Sequence, residues 1–341
     1  MRKTLLVLIL SAMALFLWLS VAGAAMTLDE ALALFGEGDI VKVSYDAAGQ
    51  TKLEQAIVAF KTALAVPADL DEVGDKDVWK VENWPKSAIG KFAVDASKKG
   101  IVNKLSQTYY TLTNTFLDRT DTPEMKDVRK ATYAKGRNWG LKSLRMSPGF
   151  VALEGTGGQD AFVEAVKVEN DVAALYWATA NWLRLAQFDK FQAVKDGVPG
   201  KAKTMSERTL VIAPTYMAYG PWRSLGAFWG GLPDDLLTKA LGWGQDLDRA
   251  RTYLCQVVAE PALCPDCTNC PIDPSCSLYF ENRTFFVEFY LMPKKLWADS
   301  ARILQAVLAE PIGDKYPLYN AMSQDNARKL LETVNKELNK K

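Results

Sequence analysis

Histidine is absent from all 341 residues. That omission excludes His-based general acid–base catalysis, Ser-His and Cys-His nucleophile activation, and imidazole metal ligation. Other catalytic signatures are missing as well: there is no G-x-S-x-G elbow, no S-x-x-K pair and no G-x-x-x-x-G-K-[ST] phosphate loop. Gly155-Thr156-Gly157-Gly158 is glycine-rich, but no strand pattern precedes it, so it reads as a turn between helices. The acid pairs Asp234-Asp235 and Glu169 with Asp171 read as solvated acidic face. Charge of one sign is lacking too, with 41 basic against 40 acidic side chains. Such a chain offers no basic field to nucleic acid or anionic lipid. The composition argues against an enzyme and against a nucleic-acid partner, and no cofactor is expected.

The amino terminus has the form of an export signal. Arg2 and Lys3 precede an apolar run from Leu5 to Val21, followed by Ala22-Gly23-Ala24-Ala25. This predicts a cleaved signal over residues 1–24 and a periplasmic mature chain, residues 25–341, forming a single helical-repeat domain. Left uncleaved, the segment would anchor the chain in the inner membrane, although the run is short for a comfortable span. No Cys near the cleavage site offers a lipid attachment point, and Arg2-Lys3 is not a twin-arginine pair.

Helical periodicity dominates what remains. Leu53, Ala56, Phe60, Ala63 and Pro67 recur at the same offsets as Leu247, Ala250, Leu254, Val257 and Pro261. A third copy is Trp297, Ser300, Leu304, Val307 and Pro311, with Ser in the small slot. Steps of three and four residues put the apolar positions on one helix face. The small residue admits a close neighbour, and the proline cannot continue the helix. Tetratricopeptide repeats end their second helix this way. The expected fold is therefore all-α, a tetratricopeptide-like right-handed α-α superhelix of stacked helix pairs, each proline-ended segment being the second helix of its pair. Further helices are expected near 27–35, 123–146, 168–191, 201–212 and 215–228. The aromatic segment Phe285–Leu291, strand-like by propensity, reads as a buried helix in this context.

Aromatic side chains cluster in two places: Tyr176, Trp177, Trp182 and Phe188 on one predicted helix, and Tyr219, Trp222, Phe228 and Trp229 on the next region. Packed core explains such clustering. An apolar lumen also explains it, with Tyr176, Trp177, Asn181, Trp182, Arg184, Tyr219, Trp222 and Trp229 as candidate ligand-facing residues. A packed ring touches only protein, whereas a lumen ring borders a cavity.

The cysteines concentrate in a loop at 262–277, as Cys264, Cys267, Cys270 and Cys276. Export to an oxidising compartment favours two local disulfides among these four. The competing readings are a structural metal held by the same four thiolates and free thiols. Cys255, inside the second repeat-like helix, reads as a buried free thiol.

Specific strings add to the periodicity. They are Ala131-x-Tyr133-Ala134-Lys135-Gly136-Arg137 with Ser147-Pro148-Gly149-Phe150; Asp171-Val172-Ala173-Ala174-Leu175-Tyr176-Trp177-Ala178 with Asn181-Trp182; Arg208-Thr209-Leu210 through Tyr219-Gly220-Pro221-Trp222 to Gly230-Gly231-Leu232-Pro233; and Asn326-Ala327-Arg328-x-Leu330-Leu331. On these the chain resembles the TatT family, the periplasmic tetratricopeptide-like T component associated with TRAP transporters. The resemblance implies a superhelix with a lumen or groove and no catalytic residues. It also implies a partner, the periplasmic TRAP substrate-binding protein that feeds a permease for small organic solutes. The function expected is a non-enzymatic adaptor or ligand-passing component that self-associates. A soluble carrier of a small hydrophobic ligand, independent of any transporter, is the alternative.

Overall fold

The computed structural model describes residues 25–74, 77–157, 160–268 and 275–340. The export signal expected over 1–24 therefore lies outside the described residues, as does Cys270. Among the described residues the protein is all-α, with no strand and one isolated bridge pairing Phe35 with Val41. The helices of six residues or more are α1 (Leu28–Ala33), α2 (Ala47–Ala63), α3 (Lys99–Thr115), α4 (Pro123–Leu144), α5 (Pro148–Glu154), α6 (Ala161–Val168) and α7 (Val172–Ala186). They continue as α8 (Lys190–Lys195), α9 (Val198–Ile212), α10 (Tyr216–Gly231), α11 (Leu247–Leu254), α12 (Phe280–Phe286), α13 (Trp297–Ala309) and α14 (Pro317–Leu338). No helix among the described residues is long and apolar enough to cross a membrane.

Helices close in sequence pack together in space. The order of contacts is α1 on α2, α2 on α3, α3 on α4, α4 on α7, α7 on α9, α9 on α10 and α10 on α11, with α5 and α6 as a side hairpin and α13 paired with α14. This is the stacked helix-pair architecture. The last helix, α14, also returns to α3, where Asn114 Nδ2 donates to Met322 Sδ at 3.3 Å. The array closes on itself.

The three repeat-like segments keep the register their spacing predicts. Ala56, Ala250 and Ser300 are buried, together with Leu53, Phe60, Leu254, Val257, Leu304 and Val307. In α13 the proline makes the stop, with Glu310 extended directly before Pro311, but in the other two it follows a stop already made. Helix α2 ends in a Schellman cap: Ala65 adopts a left-handed conformation (φ 56°), Val66 N–H donates to Lys61 C=O and Ala65 N–H to Thr62 C=O, just ahead of Pro67. Helix α11 unwinds into a 3-10 turn, Cys255–Val257, before Pro261 is reached. Helices α2 and α11 follow their partners, but α13 leads its pair, so the second-helix rule fails there. Segment 285–291 is helical: α12 runs into a single π-helical turn, Val287–Leu291.

Helices α4 and α7 pack closely, and glycine makes it so. A Cβ on Gly140 would lie 2.6 Å from Ala178 Cα, and one on Gly136 would lie 2.1 Å from Asn181 Oδ1. Glu72, buried in the loop before α3, ties three elements to this wall. It accepts from Lys61 Nζ at 3.0 Å, Tyr109 Oη at 2.9 Å and Trp139 Nε1 at 2.8 Å. Backbone cannot yield the space that Gly140→Val would demand, so that variant should lose about 1–3 kcal/mol in chemical denaturation.

Lys142 of α4 reaches the carbonyls of Ile89 at 3.2 Å and Gly90 at 3.3 Å, at the end of a short helix, Ala88–Lys91. Burial, helped by Arg145, lowers its pKa from 10.5 to about 8. Between those values the unfolded chain holds a proton that the folded chain has released, so stability rises with pH across the window. Denaturation at pH 8 and pH 10 should show that gain, and Lys142→Met should flatten it.

Candidate functional site

Helix α7 begins where Asp171 caps it. Asp171 Oδ1 accepts from Ala174 N–H at 3.0 Å, and the same carboxylate is held to α3 by Lys99 Nζ at 3.1 Å and Asn103 Nδ2. With its start fixed, α7 presents Tyr176, Trp177, Ala180 and Arg184 along one side. These border a small cavity of about 50 Å³ between α3, α7, α10, α12 and α14. Tyr110 and Tyr319 close it from α3 and α14, and Tyr279 and Phe285 from the α12 segment.

The rings interlock edge to face. Tyr176 meets Trp177 at 4.9 Å and Tyr216 at 5.2 Å between centroids. Trp177 Nε1 donates to Tyr216 Oη at 3.0 Å, which in turn donates to Asp39 Oδ2 at 2.6 Å. Burial raises the pKa of Tyr110, Tyr176, Tyr279 and Tyr319, so these phenols stay neutral.

Two guanidinium groups reach the cavity. Arg223 is 3% exposed and pairs with Glu281 at 3.1 Å. It also donates to Asn282 Oδ1 at 2.6 Å, Tyr176 Oη at 3.3 Å, and the carbonyls of Met217 and Ala218 at 3.2 and 3.1 Å. Met217 and Ala218, with Tyr219 after them, are three successive residues in left-handed conformation (φ 50°, 52° and 64°). Left-handed backbone costs L-residues about 1–2 kcal/mol each, so Arg223 holds a strained turn. Burial acts to lower the pKa of Arg223, but the fields of Tyr176 and Glu281 outweigh it and raise it. Arg184 is half-buried, lies 5.7 Å from the Phe285 ring and makes no carboxylate ion pair among the described residues. Nothing in the cavity is arranged as nucleophile and base. Its lining is aromatic, and the Arg184 guanidinium at its border is hydrogen-bonded to Tyr110.

Three of the eight lumen candidates line this cavity: Tyr176, Trp177 and Arg184. Asn181 is instead buried between helices, donating to Ser106 O at 3.1 Å and Trp177 O at 2.9 Å against Gly136. Trp182 lies on the other side of α7 and lines a different groove. Tyr219 sits in the left-handed turn, packed in the carboxy-terminal core, and Trp222 lies against Tyr253. Trp229 stacks on Trp243 with Arg249 over its ring. Sequence reasoning missed Tyr110, Arg223, Tyr279, Glu281 and Phe285. They come from three elements far apart in the chain, and only the Arg-Glu charge complementarity could have hinted at them.

The cysteine loop departs from its expected pairing. Cys264 is disulfide-bonded to Cys255, across a Cα separation of 5.2 Å, so Cys255 is not a free thiol. The reason is local: α11 ends at Leu254, Cys255 enters the 3-10 turn, and the chain doubles back to bring Cys264 alongside. Cys276 is also disulfide-bonded, while Cys267 is free and half-buried. With Cys264 and Cys276 oxidised, the four-thiolate metal site is not formed. Cys270 lies outside the described residues.

Removing one partner of the buried Arg223–Glu281 pair leaves a desolvated charge. Glu281→Gln should cost about 3–5 kcal/mol of stability, and the double change Arg223→Met with Glu281→Leu should cost less. Equal losses in both, measured by urea denaturation, would contradict this. No protein-family model matches the chain, and no curated protein matches it.

Proposed function

We propose that this protein is a non-enzymatic periplasmic adaptor of a TRAP-type solute transport system, holding a small organic solute and passing it to or from the periplasmic substrate-binding protein. The observation that carries the reading is the aromatic cavity, bordered by Tyr176, Trp177 and Arg184, at the point where the helix array closes. The strings shared with the TatT family agree with it, as does the absence of histidine and of any nucleophile–base arrangement. A disulfide between Cys255 and Cys264 is in keeping with an oxidising compartment. Self-association is part of the reading: Leu236, at 84% exposure, and its neighbours Leu237 and Leu241 are apolar side chains that a second copy would cover.

The cavity's aromatic lining also favours the second reading, a free-standing carrier of a hydrophobic ligand. Affinity capture from periplasmic extract separates the two. The adaptor reading expects a substrate-binding protein to be recovered in defined stoichiometry. Recovery of co-purified lipid and no such protein would replace it with the carrier. Tyr176→Ala should weaken either kind of ligand retention by opening the cavity wall, as measured by native mass spectrometry of the purified protein.

A further inference from the structure

The side of α7 that turns away from the central cavity carries a second aromatic site. Trp182, Leu185 and Ala186 lie on the face opposite Tyr176 and Arg184, three and four residues apart from Trp182, and Asp189 follows just past the helix end. They border a groove of about 530 Å³ shared with α4 and the segment around Trp79. At its floor lies Arg137 of α4, only 5% exposed.

Arg137 is a buried cation without a counter-charge. Its Nε donates to Asn138 Oδ1 at 2.9 Å, and among the described residues no hydrogen bond or ion pair engages Nη1 or Nη2. Burial accordingly lowers its pKa, with no opposing field. The guanidinium carbon lies 5.1 Å from the Trp79 ring and 5.9 Å from that of Trp182. Cation–π attraction offsets part of the desolvation cost but uses the ring faces, leaving the in-plane N–H donors unmatched. The indole N–H of Trp79 at the same place is also without a partner. An unmatched guanidinium beside apolar walls calls for an acceptor that the described residues do not provide.

We propose that this groove binds a small monocarboxylate with an aromatic or apolar body, its carboxylate received by the two Nη groups of Arg137 and its body lying against Trp182 and Trp79. Fork geometry suits a planar carboxylate bidentately. The rim sets the charge of the ligand. Asp127, Asp189 and Asp196, countered only by Lys130, line the same groove and would repel a second anionic group. A dicarboxylate or phosphate is therefore disfavoured. The site is separate from the central cavity and does not depend on the adaptor reading.

Titration calorimetry on the purified protein tests it, with 3-phenylpropionate as probe and 3-phenylpropanamide and succinate as controls. Saturable binding of the monocarboxylate is expected, with both controls roughly tenfold or more weaker. Arg137→Met should lose about tenfold or more in affinity while its thermal midpoint holds or rises, because a buried unpaired charge is replaced by an apolar chain. Arg137→Lys, which keeps the charge and loses the fork, should also bind weakly, and it decides the matter if the methionine variant does not fold. Arg184→Gln should leave binding within about twofold, since it faces the other cavity. Absence of saturable binding, unchanged affinity in both Arg137 variants, or loss of binding in Arg184→Gln would each overturn the proposal.

Discussion

The guanidinium of Arg223 is the interaction on which the rest of the architecture depends. It takes Glu281 and Asn282 from α12, Tyr176 from α7, and two carbonyls of the left-handed turn within α10. The two hydrophobic clusters meet at this turn, with Met217 in the first, which also takes in Tyr279, Tyr316, Leu318 and Tyr319, and Tyr219 in the second. One charged group thus satisfies a strained backbone, neutralises a buried acid and joins two hydrophobic clusters. An apolar residue could pack at that position, but it could not donate to the Met217 and Ala218 carbonyls.

Glycine plays the complementary part on the opposite wall. Gly136 and Gly140 let α7 press against α4 closely enough for Asn181 to bridge to Ser106 on α3. Gly220 does the same for Tyr176, whose hydroxyl would sit 2.4 Å from a Cβ at that position. The helix that carries most of the aromatic side chains is therefore fixed on its small-residue side. Its other two sides are left to border open space, one with Arg184 and one with Arg137 near it.

The all-α class and the register of three helices were legible because period 3.6 survives translation from string to structure. Ala56, Ala250 and Ser300 are buried as their spacing demanded. Helix α7 shows where that legibility stops. It is lined on every side, so its periodicity does not distinguish the lumen face of Tyr176 from the packing face of Asn181 or the groove face of Trp182. The stop at Met217–Tyr219 was equally hidden. Pro214 gave the visible break signal and α9 does end at Ile212, but a second break follows in three ordinary residues held left-handed by Arg223 of the next turn. Cys255 was misread because a helix was extended one turn too far, and a 3-10 turn put its sulfur beside Cys264.

The return of α14 onto α3 changes the kind of stability this chain can have. An open solenoid unfolds by fraying, because each terminal repeat has only one neighbour to lose. Here α3 and α14 both line the cavity, through Asn114 and Tyr319, and the Asn114–Met322 contact joins them. Neither end can then peel away alone without exposing the lumen of the whole array, and the helices are coupled into one cooperative unit. A linear sequence of local contacts thereby acquires the all-or-none character of a globular domain, and the emptiness at its centre is what the ends hold in common.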